Sequence, residues 1–96
     1  MTGDTRVGPT TLGRAVLRYR VRAGMTQRTL AAQSGLRRQY IGQVERGRVN
    51  PSLATLVEIA SGLGTRLSAL IAEAERSIED IQAASPARGE RRRIEL

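Results

Sequence analysis

The sequence predicts an all-α fold of five helices, the last of them extended at the C-terminus. Three observations predict it. Apolar residues recur at i, i+3, i+4 and i+7 in five segments and nowhere alternate as in a strand. The first four segments are each followed by a glycine, and the fifth by Pro86. Two segments are preceded by a hydroxyl residue suited to capping a helix.

The elements follow in order. Residues 1–10 contain Gly3, Gly8 and Pro9 without periodicity and are read as a flexible arm. A first helix runs from Thr11 to Ala23, with Leu12, Val16 and Tyr19 forming an inward stripe before Gly24 ends it. Thr26 caps a second, short helix from Gln27 to Ser34, with Leu30 and Ala31 as its apolar face. Gly35 then allows a tight turn. A third helix spans Arg38 to Arg46, with Ile41 and Val44 inward and Gly47 closing it. Pro51 biases the residue before it away from helix, so 47–51 is a loop. Ser52 caps a fourth helix that reaches Leu63, with Leu53, Leu56, Val57 and Ala60 expected to be buried and Gly64 as its stop. A last helix carries Leu67, Leu70, Ile71, Ala74, Ile78 and Ile81 at helical spacing to Ala84. Residues 85–96, with the Arg91–Arg93 run, are read as a disordered basic tail.

Composition limits the chemistry. The 96 residues make one small domain with a formal net charge of +7, and every basic residue is arginine. Through Arg66, eleven arginines face three acids, whereas 67–84 sets Arg76 against Glu73, Glu75, Glu79 and Asp80. A basic front with an acidic segment behind it suits a domain that turns one face to a polyanion. No cysteine or histidine is present, which removes disulfides, thiolate metal sites and the usual general base. The expectation is a protein that is not an enzyme and carries neither metal nor cofactor. With Tyr19 and Tyr40 as the only aromatics, base stacking on a single strand is disfavoured. No apolar run reaches the length of a membrane span and the N-terminus lacks a secretory apolar segment, so a cytoplasmic protein with no membrane partner is expected.

Two short helices joined by a glycine turn, Gln27 to Arg46, have the form of a helix-turn-helix. On the third helix Arg38, Gln39 and Gln43 lie near one face. Arginine reads guanine O6 and N7 as a fork, and glutamine reads adenine N6 and N7. The alternative is a solvated polar face of a helix bundle, and spacing alone leaves the two evenly balanced.

The stretch 12–71 resembles the Cro/C1-type (XRE) helix-turn-helix family of bacterial and phage regulators. The matching residues include Leu12-Gly13, Arg20, Gly24-Met25-Thr26-Gln27, Leu30-Ala31, Ser34-Gly35-Leu36, Tyr40-Ile41, Val44-Glu45-Arg46-Gly47 and Asn50-Pro51-Ser52-Leu53. Within the family the chain is somewhat similar to restriction–modification controller proteins. The resemblance implies a compact five-helix, lambda-repressor-like DNA-binding domain over 11–73, and the apolar spacing continues beyond it as a helical extension over 74–84. It implies that Arg37, Arg38, Gln39 and Gln43 read bases, and that Gln27, Tyr40, Arg46, Arg48, Asn50 and Ser52 lie near the DNA backbone. Arg20 and Glu45 match a structural ion pair. Four positions depart from the pattern. Arg37 stands where a Ser or Thr often caps the recognition helix, Gly42 interrupts that helix at roughly 1 kcal/mol relative to alanine, and Leu17 and Val21 stand where polar residues are usual.

The expected function is therefore a sequence-specific regulator of transcription that binds double-stranded DNA, as a homodimer on a palindromic operator. Leu70, Ala74, Ile78 and Ile81 are the expected dimer seam, since the apolar stripe continues past the usual end of the domain. The alternative function is an antitoxin or interaction module that grips a partner protein through its C-terminal region.

Overall fold

The computed structural model describes residues 7–84 and the side chains of 7–76. The expectations for 1–6 and for the tail 85–96 lie outside them. Among the described residues there are five helices and no strand: α1 (Pro9–Arg22), α2 (Gln27–Ser34), α3 (Arg38–Glu45), α4 (Leu53–Gly62) and α5 (Leu67–Ala84).

Local chemistry sets the helix ends. α1 begins two residues earlier than expected, at Pro9, whose fixed φ and missing N–H suit a first helical position. The Thr11 hydroxyl accepts from the Gly8 N–H at 2.9 Å and donates to the Gly8 carbonyl at 3.1 Å. Val7 packs half-buried against the core. Residues 7–10 thus belong to the domain, which corrects the flexible arm expected to run to residue 10. Thr26 caps α2 by accepting from the Thr29 N–H at 3.0 Å, and Ser52 caps α4 by accepting from the Thr55 N–H at 3.1 Å. At the end of α2, Gly35 takes φ +71°, and the Leu36 N–H closes back on the Ala31 carbonyl at 2.9 Å. This left-handed residue sets the angle between α2 and α3.

The core lies where all five helices meet, and its largest fully enclosed side chains are Val16, Leu30, Ile41, Val44, Ile59 and Leu70. α1 packs on α3 and α5, and α2 packs on α3 and α4. Two glycines permit these approaches. A Cβ at Gly13 would stand 2.2 Å from the Val44 carbonyl oxygen, so α1 crosses the C-terminal end of α3 backbone to backbone. A Cβ at Gly62 would stand 3.0 Å from the Ser34 Cβ and 3.1 Å from the Ser34 nitrogen.

The second approach explains a correction. Leu53 and Val57 were expected inside, yet they are 70% and 50% exposed, and Ile59 is enclosed in their place. α4 carries more apolar residues than one face can bury, and docking through Gly62 against α2 selects the stripe of Leu56, Ile59, Ala60 and Leu63. A second correction concerns α5. Leu70 and Ala74 are fully enclosed in their own domain's core, so they offer no surface to a second chain. They are removed from the expected dimer seam. The side chains of Ile78 and Ile81 lie outside the described ones. Among the described residues no single helix is long and apolar enough to cross a membrane.

α5 is clamped to α1 by a buried carboxylate. Glu73, with a side chain 9% exposed, lies 2.9 Å from Arg22 Nη2, 3.5 Å from Arg18 Nη1 and 2.5 Å from Arg76 Nη2. Burial alone would raise its pKa. The hydrogen bonds and charges of Arg76 and Arg22 outweigh burial and hold the carboxyl below its ordinary value of 4.5.

Two predictions follow from these contacts. Gly13→Ala drives a methyl group into the α3 backbone and should lower the free energy of unfolding by about 1–3 kcal/mol, read by denaturant titration. Because the folded pKa of Glu73 is lowered, its stabilisation is full above the unfolded value of 4.5 and is lost as pH falls through the folded value. Unfolding measured from pH 6 down to about pH 3 should show this loss. Glu73→Gln should flatten that part of the profile and cost about 1–2 kcal/mol at neutral pH, since its arginine partners remain partly solvated.

Candidate nucleic-acid interface

α3 has an inner and an outer side, and its sequence assigns them. Ile41 and Val44 are enclosed, whereas Arg38, Gln39, Gln43 and Arg46 are exposed and Tyr40 is half-buried. Arg37 occupies the N-cap position in extended conformation (φ −81°, ψ 145°) and makes no capping bond, so its guanidinium is left outside the helix. These residues, with Gly42 from α3 and Gln27 from the start of α2, line one open concavity of about 520 Å³. The structure therefore brings together Gln27, Arg37, Arg38, Gln39, Tyr40, Gln43 and Arg46. Arg48, Asn50 and Ser52 are exposed in the loop between α3 and α4 and do not form part of this lining. The Ser52 hydroxyl also donates to the Thr55 hydroxyl at 3.0 Å, so both its proton and one lone pair are engaged within α4's first turn.

The base of the concavity is held by a charge network. Arg20 Nε donates to Glu45 Oε2 at 2.6 Å and Arg20 Nη2 to Glu45 Oε1 at 3.1 Å, a two-point fork. Arg20 Nη1 donates to the Met25 carbonyl at 2.9 Å. Gln27 Nε2 donates to Glu45 Oε1 at 2.9 Å. The Glu45 side chain is only 5% exposed and that of Arg20 14%. One carboxylate thus joins α1, the start of α2 and the end of α3. Gln27 keeps one amide hydrogen for an outside acceptor, and its rotamer is set by Glu45.

The electrostatics are one-sided. Three guanidiniums line the concavity, and the nearby acid, Glu45, is buried and satisfied by α1 and α2. No group of three or more His, Cys, Asp or Glu that could hold a metal occurs among the described residues. The surface can present fork donors and amides to electron-rich edges and anions.

Two features of this site were not foreseen. The Gln27–Glu45 bond joins residues 18 apart, and no spacing rule links them. Gly42 is buried, although it faces outward, because the Arg46 guanidinium lies over it.

Comparison with known proteins defines the family. The chain belongs to the helix-turn-helix family HTH_3, whose profile matches residues 16–70. Over 73 residues it is 40% identical to the immunity repressor protein of Bacillus phage phi105, a match that takes in 76% of this chain and 50% of the repressor. The chain thus spans about half the length of that relative. Over 60 residues it is 42% identical to the control protein C.SmaI of Serratia marcescens, covering 62% of this chain and 71% of that protein. Its fold is similar to that of the restriction–modification controller protein C.Esp1396I, solved as a tetramer in complex with its natural 35-base-pair operator. The TM-score is 0.70 at 28% identity, over 74% of this chain and 93% of the other.

The network makes a stability prediction. Glu45→Ala leaves the Arg20 charge enclosed without its partner and should cost about 3–5 kcal/mol in unfolding free energy. Arg20→Met combined with Glu45→Leu should recover most of that loss, since neither charge is then buried. A double variant as unstable as Glu45→Ala would show that the pair contributes by more than charge balance.

Proposed function

We propose that the protein is a transcriptional regulator that recognises double-stranded DNA by sequence, with α3 in the major groove. The single observation that carries the proposal is the outer side of α3: Arg38, Gln39 and Gln43 are exposed, aligned on one concavity, and backed by a helix whose other side is locked into the core. Guanine is the natural target of the arginine fork and adenine of the glutamine amides. Arg37, released from capping duty, is a fourth candidate reader. Tyr40, within the lining, and Arg48 and Asn50, in the loop after α3, suit phosphate contacts. Gln27 presents its remaining amide hydrogen at the N-terminus of α2, where helix N–H groups favour an anion. Ser52 serves chiefly as the α4 cap and reaches a phosphate only by exchanging its bond to Thr55.

An eight-residue helix can read only a few base pairs, and two copies on a twofold axis double the site. We therefore propose a dimer on a near-palindromic operator with half-sites about 34–36 Å apart. Ile78 and Ile81 remain the proposed contribution of α5 to that seam. The relatives support this reading, since they include a phage repressor and a controller protein seen as a tetramer on its operator. The setting is the cytoplasm of a bacterium or of a phage-infected cell.

The test is affinity for a duplex selected from a random library, compared with a scrambled duplex. Gln39→Ala or Gln43→Ala should lose about 1–3 kcal/mol on the selected duplex and relax preference at one base. Arg48→Ala should weaken both duplexes alike and lower the salt slope by about one. Glutamine variants that keep the full wild-type preference would refute the assignment of α3 as the reading helix.

A further inference from the structure

Gly42 stands on the outward side of α3, one turn after Arg38 and one turn before Arg46. Glycine inside a helix is destabilising relative to alanine, because it loses more backbone freedom on folding. Its backbone gives no reason for it, since Gly42 is absent from the residues with positive φ. Packing against other helices gives none either. A Cβ at Gly13 or Gly62 would strike atoms of a neighbouring helix, but the three atoms nearest a Cβ at Gly42 all belong to the Arg46 guanidinium. They are Nη1 at 3.2 Å, Nη2 at 3.5 Å and Cζ at 3.7 Å.

Arg46 therefore folds back along its own helix, and its guanidinium occupies the space of the missing side chain. From there it lines the same concavity as Arg38, Gln39 and Gln43. The guanidinium has no hydrogen bond or ion pair among the described residues. Two guanidiniums, those of Arg38 and Arg46, then flank position 42 on one side of α3. Like charges so placed are best satisfied by an electron-rich group between them.

We propose that Gly42 and Arg46 act as one base-reading unit, in which the absent side chain at 42 brings the Arg46 fork into the row of groove-facing residues to read a guanine edge. The unit rests on the DNA-binding reading above, and it moves Arg46 from the backbone contacts to the base contacts. O6 and N7 of guanine match the fork in a way that a lysine ammonium cannot reproduce. A phosphate offers acceptors of similar charge, but the guanidinium lies over the middle of the reading helix rather than beyond its end.

The experiment compares wild type, Gly42→Ala, Arg46→Lys and the double variant on a library-selected duplex and on a scrambled duplex, with thermal melting of each protein alone. Gly42→Ala should melt at a higher temperature than wild type, since alanine favours the helix and the group it displaces is a flexible side-chain end. It should nevertheless lose about tenfold or more in the ratio of selected to scrambled affinity. Arg46→Lys, which keeps the charge and loses the fork, should lose a similar factor, and the double variant no more than the worse single one. Repeated selection with either variant should flatten a guanine preference at one position of each half-site. An unchanged ratio for Gly42→Ala overturns the unit. So does an equal loss on both duplexes with a shallower salt slope, which would place Arg46 on a phosphate. A wild type that prefers neither duplex overturns the regulator reading itself, and that outcome is distinct from the other two.

Discussion

The junction between α1 and the C-terminal end of α3 is the constraint on which the rest depends. Gly13 lets the α1 backbone meet the Val44 and Glu45 carbonyls directly. Two turns of α1 span from Gly13 to Arg20, and Arg20 forks onto Glu45 at 2.6 and 3.1 Å. Steric fit at one point and a buried charge pair at the other leave α3 little freedom to roll or slide. A rolled α3 would strand a carboxylate that is 5% exposed, a penalty large beside the stability of a small domain. The same carboxylate sets Gln27, so the position of α2's first residue is tied to that of α3.

This anchoring lets the outer side of α3 be poorly adapted to stability. Arg37 leaves the helix start uncapped, Gly42 weakens its middle, and its arginines stand close together. Eight residues are too few for a helix to hold itself in water. α3 is stable because Ile41 and Val44 are enclosed and because Glu45 is tied to α1, so its remaining positions are free to be chosen for a ligand. Local rules are broken where a surface has something else to do, and they are kept at the caps of α2 and α4.

How far the sequence was legible follows from the same distinction. The helix spans were readable because Thr26, Ser52, Gly35 and Gly64 act on their immediate neighbours, and the Leu67–Ala84 helix came out with its expected bounds. The family was readable in the combined residues of 12–71 that resemble the Cro/C1-type pattern, and the HTH_3 profile matches 16–70. What failed depended on partners distant in sequence. Nothing in α4 itself decides between Val57 and Ile59, because the choice is made where Gly62 meets Ser34. Leu70 and Ala74 were assigned to the seam because they continue the apolar stripe of the last helix, yet both are enclosed in the core that α5 completes by packing on α1 and α4. Glu73 looked like one acid among four on a solvated segment, and its three arginine partners come partly from α1, some fifty residues earlier.

Glu73 also explains how a chain of charge +7 can be compact and still direct its charge. Arg18 and Arg22 lie one turn apart on α1, and Arg76 faces them from α5. Without an acid between them these three would oppose the docking of α5. One largely buried carboxylate offsets that repulsion, with its pKa held low so that the offset persists through mildly acidic conditions. Glu45 does the same for Arg20. The two enclosed acids are thus both paired with arginines of α1, away from the outer side of α3. Among the described residues, no acid lines the concavity that Arg37, Arg38 and Arg46 share. Neutralisation at the back and unbalanced charge at the front give the domain a polarity that net charge alone does not reveal. Under the proposed DNA-binding reading, a polyanion meets its largest unbalanced cluster of guanidiniums at α3, while Arg18, Arg20 and Arg22 of α1 are already paired from within.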